Sequence, residues 1–270
     1  MNRIALAVAA VGLSMLAAGC VWHPGICIED SRRLDFPLTD SAQVVVVVCD
    51  DWDSTTAELR CFERRWGCFG PLPWRSVAGP IPVNIGRSGL AWGRGVNAVP
   101  RGVHALAGVE GPTKREGDGK APAGVFELSA AFGYASQKDA YWVPLPYLHL
   151  TEDVFGVDDV KSKYYNQLVR LDQVQKDWDS AEIMRREDGL YEWGVLVDHN
   201  VPPEPGAGSC IFLHIWRGQG QPTAGCTAMS RDEMLKLLAW LDKGRRPVLV
   251  QLPRPVYEKL AAGWGLPPLH

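Results

Sequence analysis

The chain has 270 residues, of which 46% are hydrophobic and 22% charged, and its net charge is −3. This length suits one sizeable domain or two small ones with a real hydrophobic core. Acidic and basic residues are mixed along the chain. Without a basic block or an acidic tail, the sequence argues against a nucleic-acid-binding or polyanionic role.

The N-terminus has the pattern of a signal peptide. MNR precedes fifteen uncharged residues, IALAVAAVGLSMLAA, and Gly19-Cys20 follows. The run is too short for a spanning helix, which needs about 20 apolar residues, but its basic start and small residues before the cut suit export. LAAGC resembles the lipobox of bacterial lipoproteins, although Ala17 stands where Leu is usual. We expect residues 1–20 to be a signal peptide of the lipoprotein type, with a plain cleaved signal as the alternative.

Lipidation of Cys20 would tether the protein to a membrane at the periplasmic face of the cell envelope. Val21 replaces the Asp that often retains lipoproteins at the inner membrane, which favours the outer membrane. Residues 21–41 are punctuated by prolines and charges, as is typical of a tether.

An exported protein can hold disulfides, and the chain has seven cysteines. Cys61 and Cys68 are the easiest pair to join because they close a short loop. Unpaired, partly buried thiols are the alternative.

Strand patterns dominate the region from residue 42 to 253. In chain order, runs bounded by Gly, Pro, Asn or Asp predict strands at QVVVVVC, 55–65, 81–85, 124–128, 191–197, 210–216 and 247–252. One helix is clear: Ser230 can cap it, Glu233 completes a capping box and Gly244 ends it. We expect one β-rich domain over residues 42–253, followed by a C-terminal tail with a short helix at 254–270.

Residues 210–226 bring a histidine and a cysteine into one strand-and-loop unit. Alternation in CIFLHIW places Ile211, Leu213 and Ile215 on one face of the strand, and Cys210, Phe212, His214 and Trp216 on the other. A loop rich in Gly, Gln and Pro then leads to Cys226, close to the N-terminus of the predicted helix. A nearby imidazole makes a thiol a working nucleophile. The backbone N–H groups of Gly225 and Cys226 are candidates for an oxyanion hole.

Other interpretations of this unit stay open on pattern alone. The histidine and cysteine can be unrelated structural residues, or Cys210, His214 and Cys226 can bind zinc, although their spacing matches no common zinc finger. Cys210 is a poor candidate for a nucleophile activated by His214, because four residues along the strand separate the two by about 13 Å, too far for a hydrogen bond.

HIW(x)6TAGC resembles the signature of the L,D-transpeptidase catalytic domain (YkuD-type), in which a His precedes a Ser/Thr-x-Gly-Cys block. GPTKREGDGKAPAGVFELSAAFGYA, VDDVKSKYYNQLV and YEWGVLVDHN are similar to segments of a lipoprotein-like branch of that family. The resemblance covers about residues 43–252. It implies a mainly β fold, a β-sandwich of mixed sheets with a few peripheral α-helices.

Carried over to this sequence, the resemblance makes Cys226 the nucleophile and His214 its base. Thr223 and Gly225 would shape the nucleophile loop with Trp216 near it, and the carbonyl of Ile215 or Trp216 would orient the histidine. Two positions depart from the family pattern: Ala224 stands where many members have a second His, and Ala228 where many have Arg.

Chain order argues against other thiol enzymes. Papain-like and NlpC/P60 peptidases place the His after the Cys, but the histidine that follows Cys226 here is the terminal His270. Sortases place the His before the Cys, but much further upstream than in this chain.

The implied activity is peptidoglycan acyl transfer through a thioester, without metal or other cofactor. An amine from a second stem peptide, or from a wall-linked lipoprotein, would resolve the thioester. The alternatives are an L,D-carboxypeptidase or amidase that uses water, and a wall-binding lipoprotein without turnover. Lys114, Arg115 and Lys120 are candidate substrate-binding residues, although a solvated hairpin turn also explains them. Two polar groups either line a cleft or stabilise turns at the ends of strands: Asp158-Asp159 and Asp198-His199-Asn200.

Overall fold

A computed structural model describes residues 37–68, 70–96 and 109–269 of the protein. The expected signal peptide, Cys20 and residues 21–36 of the expected tether lie outside the described residues.

The fold is mainly β, as predicted, with 37% of the described residues in strands and bridges and 11% in helices. The described strands are β1 (Gln43–Cys49), β2 (Thr56–Glu63), β3 (Trp66–Gly67), β4 (Gly70–Pro71), β5 (Arg75–Asn84), β6 (Leu90–Trp92), β7 (Ala121–Gly133), β8 (Tyr147–His149), β9 (Val154–Val157), β10 (Gln167–Arg170), β11 (Ala181–Ile183), β12 (Trp193–Val197), β13 (Phe212–Ile215), β14 (Thr227–Met229) and β15 (Val248–Pro253).

The main sheet closes on itself into a barrel-like arrangement. Its strands follow the order β12-β13-β14-β5-β2-β1-β15-β7, and β7 pairs again with β12. Closure is possible because β7 is 13 residues long. Gly124–Glu127 pair with β15, and Leu128–Gly133 pair with β12. The sheet is mixed, as expected, while the sandwich packing stays a prediction.

Strand β1 shows why this sheet forms the core. All seven of its residues are buried, including the five valines Val44–Val48. The strand runs parallel to β15 and antiparallel to β2. A continuous β-branched run of this kind suits a strand that is covered on both faces.

A side lobe, residues 154–191, carries a separate sheet with the strand order β10-β9-β11. An apolar cluster joins it to the barrel: Val154, Met184 and Tyr191 of the lobe pack with Phe212 and Cys226. The lobe therefore covers the face of β13 that the sequence assigns to His214.

Two α-helices follow β14 in the described chain: α1 (Arg231–Trp240) and α2 (Arg254–Trp264). Ser230 caps α1, since its side chain accepts a hydrogen bond from Glu233 N–H, as predicted. The predicted end at Gly244 is wrong. Helix α1 stops at Trp240 because the buried Gln43 side chain donates to Trp240 O (2.6 Å) and accepts from Asp242 N–H (2.8 Å).

The predicted pairing of Cys61 with Cys68 is wrong. Cys61 is buried in the core and Cys68 is exposed, and both are free thiols, as are Cys49, Cys210 and Cys226. No helix in the described part of the chain is long and apolar enough to cross a membrane.

Candidate active site

Neighbouring parallel strands bring His214 and Cys226 together. His214 on β13 lies opposite Ala228 on β14, and the register places Cys226 beside Phe212. Residues two apart on a strand share a face, so His214 and Cys226 point to the same side as diagonal neighbours. The long loop between them is required because parallel strands need a crossover connection.

The imidazole of His214 is buried and held in one orientation. Its Nδ1 lies 2.7 Å from the carbonyl oxygen of Ile215. A carbonyl only accepts, so Nδ1 carries the hydrogen and Nε2 keeps a free lone pair. The Tyr191 ring packs edge-on against the imidazole, with centroids 5.2 Å apart. Burial lowers the pKa of His214 to about 4, so it is neutral at physiological pH and suited to accept a proton.

Cys226 is buried and carries a protonated thiol at rest. Phe212 N–H donates to its Sγ over 3.3 Å, and the thiol lies 3.6 Å from Cys210 O. Burial, and then the negative charge of Glu182, raise the pKa of Cys226 to about 12. Within the described residues no hydrogen bond joins Sγ to the His214 ring. The pair is thus a neutral thiol and a neutral imidazole rather than a preformed ion pair.

Thr223 folds the loop that carries the cysteine. Its Oγ1 donates to Cys226 O over 2.6 Å and accepts from Gly225 N–H over 3.1 Å. The Gly225 N–H is therefore already engaged, which weakens its candidacy for an oxyanion hole. Gly225 itself is required by space and by its φ of +158°, since a Cβ there would lie 3.1 Å from Lys120 O.

Strand β5 clamps the other end of the same loop. Buried Asn84 donates to Gly218 O (2.8 Å) and accepts from Gly220 N–H (2.9 Å). Just beyond the strand, Thr223 N–H donates to Ile85 O (2.9 Å). These bonds hold the loop from both ends.

The thiol and the imidazole open into one cavity of about 460 Å³. Trp216, Thr223, Ala224 and Ala228 also line it, so the two departures from the family pattern lie in the cavity wall. Sequence reasoning missed the remaining polar residues of the wall: Arg87, Glu182, Arg186, Tyr191, Arg217 and Gln221. They come from the turn after β5, the lobe and the loop, and no local motif connects segments so far apart.

Lys114, Arg115 and Lys120 do not line this cavity. Lys114 is buried and pairs with Asp118 at 2.6 Å, and Arg115 is exposed. The Lys120 amine donates to Ser88 O. A Cβ added at Gly225 would lie 3.1 Å from the backbone carbonyl oxygen of Lys120. The backbone at the end of the hairpin thus lies close to Gly225, and direct substrate binding by the three cations stays a prediction.

Of the acidic and polar residues named from the sequence, Asp159 and His199 make hydrogen bonds to backbone groups, whereas the buried Oδ1 of Asp158 has no hydrogen-bond partner among the described residues. The Asp159 carboxylate accepts from Lys161 and Asp179 N–H. His199 is buried, with Nδ1 accepting from Arg94 N–H and Nε2 donating to Ala207 O. Neither residue lines the cavity of Cys226.

The sequence profile of YkuD, the L,D-transpeptidase catalytic domain, matches residues 76–250. The match spans more than half of the chain, from β5 to β15, and includes His214 and Cys226. The protein belongs to the L,D-transpeptidase catalytic domain family, whose members are cysteine-dependent enzymes that modify peptidoglycan. Comparison with curated proteins gave no match.

Proposed function

We propose that the protein is an L,D-transpeptidase-type cysteine acyltransferase acting on peptidoglycan stem peptides. One observation carries the proposal: Cys226 and His214 share a face of two adjacent strands and line one cavity, and Ile215 O leaves the His214 Nε2 free to act as a base.

The first half-reaction would form a thioester. A rotation about the Cα–Cβ bond of Cys226 would carry Sγ from the backbone of β13 toward His214. Nε2 takes the thiol proton while the sulfur attacks the carbonyl of a diamino acid in the stem peptide. As the C–N bond breaks, His214 returns the proton to the amino group of the leaving D-alanine. We assign stabilisation of the intermediate oxyanion to the Cys226 N–H, since Gly225 N–H is bound to Thr223.

The second half-reaction would transfer the acyl group. An amine of another stem peptide, or of a wall-linked lipoprotein, attacks the thioester carbonyl, gives its proton to His214 and releases the thiol. If water attacks the thioester in place of the amine, the enzyme is an L,D-carboxypeptidase. This is the alternative function, and it uses the same first half-reaction.

The test is mass spectrometry of the protein after exposure to a disaccharide tetrapeptide or to a carbapenem. We expect a covalent adduct on the tryptic peptide that contains Cys226, release of D-alanine from the tetrapeptide, and no adduct in Cys226→Ala. Peptide mapping is essential because Cys68 is exposed and free. Equal labelling of wild type and Cys226→Ala would refute the proposal and favour a wall-binding protein without turnover. Dimer formation identifies transpeptidation, and loss of D-alanine alone identifies hydrolysis.

We further propose that the protein is exported and anchored through Cys20 at the periplasmic face. The support is the N-terminal sequence pattern alone. A diacylglyceryl group on the N-terminal peptide of the mature protein is the expected result, and an unmodified N-terminus would contradict it.

A further inference from the structure

Glu182 places a carboxylate in the wall of the catalytic cavity without a cationic partner. It belongs to β11 of the lobe and is partly buried. One of its oxygens accepts a hydrogen bond from Tyr191 OH over 2.6 Å. Through the described chain, no Lys, Arg or His forms an ion pair with it, although a carboxylate removed from water normally requires a counter-charge.

Arg186, whose charge acts on Glu182, forms its ion pair with another carboxylate. Arg186 lies over the Tyr191 ring, 5.3 Å from its centroid, but forms a two-point contact with Asp188 at 2.8 and 2.5 Å. Burial, and then the negative charges of Asp158 and Glu116, raise the pKa of Glu182, against the opposing effects of the Tyr191 hydrogen bond and the charge of Arg186. Arg186 does not offset these effects, so a cation bound beside Glu182 would be stabilised by the carboxylate.

The position of Glu182 links it to the reacting groups. Tyr191 OH holds the carboxylate, while the Tyr191 ring contacts the imidazole of His214. The same negative charge opposes ionisation of Cys226. A carboxylate beside a cysteine nucleophile disfavours reaction unless the substrate neutralises it.

We propose that Glu182 binds a primary ammonium of the stem-peptide diamino acid, and that this pairing selects the substrate and favours ionisation of the Cys226 thiol. The inference rests on the proposed function and specifies its substrate recognition. Tyr191 is the positioning residue, since it fixes the carboxylate through its hydroxyl.

The inference predicts opposite effects on two reactions of the same thiol. Glu182→Gln should speed alkylation of Cys226 by neutral iodoacetamide severalfold, because a negative charge that opposes the thiolate is removed. The same substitution should lower kcat/KM for a tetrapeptide with a free side-chain amine about ten- to hundredfold, because a charge-assisted contact is lost. A merely structural role would lower both rates together. Glu187→Gln is the matched control, since it removes an exposed charge of the same lobe outside the cavity.

Acetylation of the substrate amine tests the pairing with the wild-type protein. Wild type should release D-alanine from the acetylated tetrapeptide about ten- to hundredfold more slowly than from the free amine. The Glu182→Gln variant should release D-alanine from the two donors at equal rates. The Tyr191→Phe variant should show a smaller preference for the free-amine donor than wild type. Dependence of the amine-transfer step alone on Glu182, with release of D-alanine unchanged, would overturn the inference.

Two further results would overturn the inference: Glu182→Gln keeps the full preference for the free-amine donor, or wild type releases D-alanine from both donors at equal rates. That failure is distinct from failure of the proposed function, in which wild type forms no Cys226 adduct and turns over neither donor.

Discussion

His214 donates through Nδ1–H to the carbonyl oxygen of Ile215, the next residue on strand β13, over 2.7 Å. The bond fixes the tautomer, so the second nitrogen is the one that remains to accept a proton. It also needs no acidic third residue, because the strand itself supplies the acceptor. In this site the backbone performs the orienting role that a carboxylate has in a Ser-His-Asp triad.

The protonation states of the pair predict how thiol reactivity depends on pH. With a pKa of about 12 for Cys226, the rate of its alkylation by iodoacetamide should rise about tenfold per pH unit from neutral pH upward, because the thiolate is the nucleophile. Timed quenching with peptide mapping measures this rate separately from that of Cys68. A plateau near neutral pH would show a preformed thiolate–imidazolium pair and contradict the burial argument.

Acid should destabilise the fold through its buried histidines. Burial lowers the pKa of both His214 and His199 to about 4. A depressed folded-state pKa contributes stability above the unfolded value of 6.5, and this contribution is lost as the pH falls toward 4. Between pH 6.5 and 4, protonation of each histidine should lower the free energy of unfolding by up to roughly 3 kcal/mol. Urea unfolding of wild type and His199→Gln at both ends of the window measures the loss, which should be smaller in the variant.

Thr223→Val tests whether the hydroxyl shapes the nucleophile loop. The substitution keeps the side-chain volume but removes the bonds to Cys226 O and Gly225 N–H. We expect a loss of about ten- to hundredfold in carbapenem acylation of Cys226, since two backbone groups lose their partner. Thr223→Ser retains the hydroxyl and should restore most of the rate. Equal rates in all three proteins would show that the loop holds its shape without Thr223.

Gly225→Ala and Gly117→Ala form a matched pair for the space beside Cys226. Both glycines have positive φ, but a Cβ at Gly225 meets Lys120 O at 3.1 Å, whereas Gly117 has open space. We expect Gly117→Ala to cost about 1 kcal/mol of stability from backbone strain alone. Gly225→Ala should in addition suppress acylation of Cys226, since the loop must move. Comparable activity of the two variants would refute the spatial argument.

Asn84 should affect the reaction although it does not line the cavity. Asn84→Asp keeps the acceptor for Gly220 N–H and loses the donor to Gly218 O. The partly buried carbonyl of Gly218, left without this donor, should cost about 1–3 kcal/mol of stability. The loosened loop should raise KM for the stem peptide more than it lowers kcat. Thermal unfolding and steady-state kinetics measure the two effects, and a change in stability with unchanged kinetics would confine Asn84 to folding.

Much of the fold was predictable because its signals are local. The alternation in CIFLHIW assigns Ile211, Leu213 and Ile215 to the main core and His214 to the opposite face, and the structure confirms the split. Ser230 identifies the start of α1 from a single side chain. The end of the helix was wrongly predicted because Gln43, nearly two hundred residues away, terminates it at Trp240.

The sequence alone determined the family, the mainly β class and the candidate pair, because the motif around His214 and Cys226 is short and contiguous. Tertiary structure decided the rest of the site. The lobe brings Glu182 and Tyr191 to the pair, while β5 brings Asn84 and the turn after it brings Arg87. It also decided that Cys61 and Cys68 stay apart, one in the core and one at the surface. The physical reason is that burial, charge and distance between separate segments arise only when the barrel closes.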